Sequence, residues 1–136
     1  MRRTVTKLTR ERAFSTIRKV ATAALEGETA LSYSDLARRL GMPNETGRGL
    51  GAILDEAALM CREHRLPDVT SVVVTKESLL RGSPFPSRDS FDADGTWPLT
   101  GLHMDDVPAE QERVRAFDWR SVRSLGLDGS RRSRVS

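Results

Sequence analysis

The sequence predicts a small α+β domain, and three observations carry that prediction. An apolar stripe recurs at helical spacing from Thr9 to about Glu26, two shorter helical patterns flank a tight turn between Ser32 and Cys61, and a β-branched run follows at Val69–Thr75. In the first helix Thr9 is placed to cap, and Ala13, Phe14, Ile17, Val20, Ala21, Ala24 and Leu25 share one face. Gly27-Glu28-Thr29 breaks it, and Ala30-Leu31 begins a short strand. In the second helix Ser32 caps with Asp35 three residues on, Leu36, Ala37 and Leu40 form the stripe, and Gly41 supplies a left-handed ending. Met42-Pro43-Asn44 makes the turn, and a third helix starts at Glu45 or Thr46 with Leu50, Ile53, Leu54, Ala57 and Cys61 as its buried face.

Val69–Thr75 contains no Gly or Pro and reads as a buried strand, with Lys76 to Pro84 as the turn or wing after it. Three helices followed by a strand is the order of a winged helix. From Pro86 to Met104 the chain is rich in Ser, Asp, Gly and Pro, so an irregular segment pinned by Phe91, Trp97 and Leu99 is expected. Pro108 sits where a first helical turn tolerates proline, and Glu110, Glu112, Val114, Ala116 and Phe117 fit a short helix. Trp119, Val122 and Leu125 repeat at helical spacing as a last helix packing on the core. The organisation expected is therefore a flexible basic arm over 1–8, one winged-helix-like domain over 9–127 and a disordered basic tail over 128–136.

The chain has 136 residues and a formal net charge of +3, but the charge is uneven. The first twenty residues hold seven cations against Glu11, and the last sixteen hold four against Asp128, so the body between them is acidic. An acidic body with basic ends meets nucleic acid mainly through its ends. No apolar run reaches the ~18 residues of a membrane span and no secretory leader pattern opens the chain, so a cytoplasmic protein without a membrane partner is expected.

The lone Cys61 lies on an apolar helix face and reads as an inert core thiol. Cys61 and His64 share metal-ligand spacing, but the further ligands of a tetrahedral site are missing. Asp89, Asp92 and Asp94 lack the EF-hand glycine and final glutamate, and so read as solvated charge. Glycines 47, 49 and 51 follow a helix rather than a strand, which rejects a dinucleotide fingerprint. With no nucleophile and base recognisable as a pair, neither an enzyme nor a cofactor is expected.

Leu31-Ser32-Tyr33, Leu36-Ala37, Gly41, Pro43 and Arg48-Gly49-Leu50-Gly51 resemble the helix-turn-helix of the DNA alkyltransferases and alkyltransferase-like proteins. The resemblance covers about two dozen residues. It implies an element that enters the minor groove, a tyrosine at Tyr33 that helps rotate a nucleotide outward, and an arginine at Arg48 that fills the gap. The family's Pro-Cys-His-Arg motif has no counterpart here. Alkyl transfer needs that thiolate, so only binding carries over. A looser likeness joins Tyr33-Ser34-Asp35-Leu36-Ala37, Leu66-Pro67, Val72–Lys76, Gly82, Phe85 and Phe117-Asp118-Trp119 to uncharacterised small bacterial proteins of restriction and mobile-element contexts. The expected function is non-catalytic binding of double-stranded DNA, in which Tyr33, Asn44, Thr46 and Arg48 meet the duplex while Arg12, Arg18 and Lys19 contact phosphates. The alternative is a protein-interaction module, an adaptor or inhibitor in phage and host conflict, on the same scaffold.

Overall fold

In the computed structural model, residues 5–42 and 49–127 are described. Helix α1 (Lys7–Leu25) starts two residues before the expected Thr9, because Thr6 is the cap and its Oγ1 accepts the Thr9 N–H at 3.1 Å. Lys7 and Leu8 therefore belong to α1 rather than to the arm. The buried face carries Ala13, Ile17, Val20 and Ala21 as the spacing requires, with Phe14, Ala24 and Leu25 partly covered. Thr16, between them, is also buried, and its hydroxyl is satisfied by the Arg12 carbonyl at 2.8 Å. Gly27 ends the helix at φ +87°, and the Glu28 N–H returns to the Ala23 carbonyl at 2.9 Å.

Strand β1 (Leu31–Ser32) leads directly into α2 (Tyr33–Arg39), where Ser32 Oγ accepts the Asp35 N–H as the cap pattern requires. Leu36 and Ala37 face the core, and Gly41 takes φ +71° while the Met42 N–H bonds the Ala37 carbonyl. Helix α3 (Leu50–Glu63) buries Leu50, Ile53, Leu54, Ala57, Ala58 and Cys61. It packs along α1 in the most extensive contact between elements. Alanines 13, 21 and 57, all fully buried, keep the facing surfaces of the two helices shallow.

The β-branched run departs most from the sequence reading. Val69–Val72 forms a 3-10 turn, and only Val73–Val74 (β2) is strand, paired parallel to β1 with Leu31 opposite Val73. Asp68 causes the turn. Its Oδ1 accepts both the Thr70 N–H at 2.9 Å and the Thr70 hydroxyl at 2.6 Å, and Ser71 Oγ donates to the Asp68 carbonyl at 2.8 Å. These local bonds give the backbone an alternative to a ladder, so the valines report burial rather than extension.

Where the turn or wing was expected stands α4 (Lys76–Leu80), capped by Thr75 Oγ1 on the Ser78 N–H. Beyond it, Phe85, Phe91 and Trp97 pack in sequence, the first pair tilted and the second edge-on, with neighbouring centroids 6.0 Å apart, and an antiparallel bridge joins Thr96 to His103. The irregular, aromatic-pinned segment is thus as the composition indicates. Helix α5 (Val107–Ala116), with Pro108 in its first turn, lies against the Val69–Val72 turn. Gln111 ties them together, its Nε2 donating to the carbonyls of Ser71 at 2.9 Å and Pro84 at 3.0 Å. The expected last helix is instead two 3-10 turns, Trp119–Ser121 and Arg123–Leu125, with Gly126 at φ +67°. The architecture is a small α+β domain, predominantly helical, with a two-stranded parallel sheet among the described residues. No helix among them is long and apolar enough to cross a membrane.

Two outcomes test this account. Trp119 is fully buried, its Nε1 donates to the Val114 carbonyl at 2.8 Å, and its ring meets Phe117 edge-on. Trp119→Ala is expected to cost about 3–5 kcal/mol of unfolding free energy in a urea titration. Burial raises the Asp68 carboxyl above its ordinary range, against the lowering effect of its Thr70 hydrogen bonds. The stability it contributes is therefore fully present below about pH 4, where the unfolded chain is also protonated, and is lost as pH rises through the folded value. Asp68→Asn keeps an Oδ1 acceptor for Thr70 and cannot ionise. Its melting temperature should gain on that of the wild type as pH rises from about 4 to 7, whereas a constant difference would assign Asp68 no linked proton.

Candidate functional site

Helix α1 leaves one face outside the core. Arg12, Ser15, Lys19 and Thr22 recur on it at helical spacing, and Arg18 adjoins Lys19. The end of α2 brings Arg39 to the same place, so that Ser15, Arg18, Lys19, Thr22 and Arg39 line one open groove of about 480 Å³. Arg18 is held in part, since its Nε donates to the Leu125 carbonyl at 2.9 Å, which also anchors the last described turns to α1. Arg39 is compensated. Its Nη2 lies 2.9 Å from Glu28 Oε1 and 3.3 Å from Asp35 Oδ2, and the Glu28 hydrogen bond chiefly holds its guanidinium above its usual range. The Lys19 ammonium and the Arg12 guanidinium make no hydrogen bond or ion pair with the described residues. Two hydroxyls among cations form a set suited to phosphate oxygens.

The other expected contacts are placed differently. Asn44, Thr46 and Arg48 lie outside the described residues. The outer face of the first two turns of α3 carries Gly51 and Ala52 and then Asp55 and Glu56, so between 49 and 61 it offers a duplex no cation. Tyr33 is half-buried, and its hydroxyl accepts the Ser87 N–H at 2.7 Å. Burial raises its phenol, against the lowering effect of hydrogen bonds with Ser87 and Ser90. It stands in the wall of a second groove, about 570 Å³, with Leu54, Pro86, Trp97, Asp55 and Asp89. Tyr33 and the α1 cations are thus on separate grooves, and the structure does not bring them together.

Cys61 is fully buried while His64 is exposed, so the two do not converge on a ligand. Burial pushes the Cys61 thiol up to about 12, which keeps it neutral and unreactive at ordinary pH. Among the described residues no group of three His, Cys, Asp or Glu is arranged to hold a metal ion. The sequence carried an unused signal for the α1 face, because Ser15 and Thr22 share the period of Arg12 and Lys19. Nothing in it announced Arg39, which arrives through tertiary packing. No protein-family model, curated protein or solved structure matches this chain.

The Tyr33 hydroxyl is the acceptor for a backbone N–H of the segment that follows α4. Tyr33→Phe leaves that N–H unpaired and is expected to cost about 1–3 kcal/mol in chemical denaturation. A loss below about 0.5 kcal/mol would leave the hydroxyl without this structural role.

Proposed function

We propose that the chain is a non-catalytic double-stranded DNA-binding protein. In this reading the outer face of α1 contacts the phosphate backbone, while α2 and α3 act as the helix-turn-helix of a winged-helix-like domain, led by residues 44–48. The observation that carries it is the grouping of Arg18 and Lys19 with Arg39, Ser15 and Thr22 in one groove. Phosphate neutralisation supplies most nonspecific affinity, and each contact releases counterions and steepens the salt dependence. The acidic body then orients the encounter, since it repels a duplex from other approaches. The resemblance of the 31–51 region to alkyltransferase-like proteins supports the same reading and adds Arg48, Asn44 and Thr46 as contacts.

A second reading, a protein-interaction module, is favoured by the Tyr33–Trp97 groove, which is apolar with two carboxylates and no cation in its lining. Fluorescence anisotropy with a labelled duplex at two salt concentrations separates the two. Because Arg18 also anchors Leu125, the informative variant is the pair Arg12→Glu and Lys19→Glu. It is expected to weaken binding at least about tenfold and to lower the salt slope by about one per lost contact. Arg48→Ala is expected to cost about 1–3 kcal/mol for a preferred sequence if it reads bases. Duplex binding that ignores the α1 pair would remove that face from the interface, and absence of binding at low salt would give the protein-interaction reading first place.

A further inference from the structure

His103 stands where the irregular segment meets the start of α5, and both of its ring nitrogens are engaged. Nδ1 accepts the Asp105 N–H at 3.0 Å and so caps the 3-10 turn Met104–Asp106, while Nε2 lies 3.0 Å from the Asp94 carbonyl. A backbone N–H can only donate and a carbonyl can only accept. The first contact therefore requires a lone pair on Nδ1 and the second a hydrogen on Nε2, which assigns the neutral ring in its Nε2–H form.

The backbone is shaped for this approach. Gly95 has φ +85°, and a Cβ there would stand 3.0 Å from His103 Nε2 and 3.0 Å from Met104 Sδ. Thr96 pairs with His103 in the antiparallel bridge, the Trp97 N–H donates to the Leu102 carbonyl at 2.7 Å, and the Met104 N–H donates to the Gly95 carbonyl at 2.8 Å. The imidazole thus ties the turn at Asp92–Thr96 to the turn that leads into α5. Its side chain is 37% exposed, so solvent protons reach it.

A proton changes one of the two ring bonds and leaves the other. Placed on Nδ1, it removes the lone pair that holds the Asp105 N–H, while Nε2–H still donates to Asp94. A new acceptor is in reach, because Asp105 Oδ2 lies 3.5 Å from Nδ1. The two turns joined by the ring carry Asp92 and Asp94 on one side and Asp105 and Asp106 on the other, and Asp105 shares an open groove of about 610 Å³ with Glu77, Arg81 and Arg88. The Asp94 carboxyl is held below its ordinary range, chiefly by hydrogen bonding with Asp92 and then with Thr96, so it stays ionised where imidazoles titrate.

We propose that His103 is a pH-operated latch: as a neutral imidazole it caps the Met104–Asp106 turn through the Asp105 N–H, and as an imidazolium it releases that N–H and pairs with the Asp105 carboxylate. The latch acts on the segment that supplies Trp97 and Leu99 to the Tyr33 groove. It is separate from the α1 face and rests on neither functional reading.

The test is an NMR titration of the full chain from about pH 8 to 5.5, the range in which histidine changes charge, following the ring nitrogens and the backbone amides. The chain has two histidines, and the exposed His64 serves as the reference ring. At the upper end His103 is expected as the Nε2–H form alone. As its ring takes up a proton, the Asp105 amide proton and the Asp105 carboxyl carbon are expected to move in step with it. Exchange of that amide, corrected for its intrinsic pH dependence, is expected to rise at least about threefold. His103→Asn keeps an oxygen that can cap the turn and takes up no proton in this range, so its Asp105 amide is expected to hold one position. A His103 ring protonated on Nδ1 at pH 8 or mixed between its two forms, an Asp105 carboxyl carbon that ignores the ring, or an Asp105 amide that follows pH equally in His103→Asn overturns the proposal.

Discussion

Six consecutive residues, Val69 to Val74, are buried side by side, and the rest of the domain is arranged around the demand this makes. The valines are easily placed, because α1, α3 and α5 surround them with apolar surface. The backbone is harder, since buried N–H and C=O groups must find partners or cost a large part of a small domain's net stability. Each half of the run solves this differently. Residues 69–72 curl into a turn whose donors and acceptors are met by Asp68, Thr70 and Ser71, and residues 73–74 pair with β1. Gln111 then closes the account from outside by bonding the Ser71 carbonyl, and the same amide reaches Pro84 and so fixes the segment after α4. Losing this polar set would release α5 and the aromatic loop together.

This solution explains which parts of the fold were legible in the sequence. Periodicity found the buried stripes of α1, α2 and α3 because each turns a single stripe to the core, and glycines end α1 and α2, while the start expected for α3 at Glu45 or Thr46 lies outside the described residues. It also found the aromatic pinning of 86–104 and the proline-led start of α5. The Val69–Thr75 run was misread because β-branched content measures burial on a crowded surface, and the decisive atom was a carboxylate one residue before the run. A similar capping interaction turned the expected wing into α4, where Thr75 and Ser78 satisfy the first turn. The last helix failed for a third reason. Trp119 and Leu125 are buried as the spacing demands, but they are held by the Phe117 ring, the Val114 carbonyl and Arg18, which need no continuous helix between them.

The candidate site was legible in part for the same physical reason. A helix whose apolar stripe is spent on the core displays its remaining residues on the opposite face, so Arg12, Lys19, Ser15 and Thr22 are fixed in common once α1 docks on α3. Arg18 stands at the border of that face and has a double role, since its Nε holds the last described turn. Charge on this surface is therefore coupled to fold, and an arginine read from sequence as a free phosphate ligand is partly committed. Tyr33 shows the converse. It opens α2, and its hydroxyl is engaged by Ser87 in a groove that also holds Asp55 and Asp89.

The described arginines divide into those paired with a carboxylate and those that are not. Arg38, Arg39, Arg113 and Arg115 each sit on a neighbouring carboxylate, three of them within one helical turn, which is how a surface neutralises itself at little cost in stability. Asp68 and Arg65 do not follow this rule, although they are only three residues apart. A desolvated carboxylate is expensive to retain, and a left-handed arginine, Arg65 at φ +58°, adds to that expense where glycine would remove it. Both costs act on the same turn, and both would disappear with simple substitutions that leave the Thr70 bonds intact.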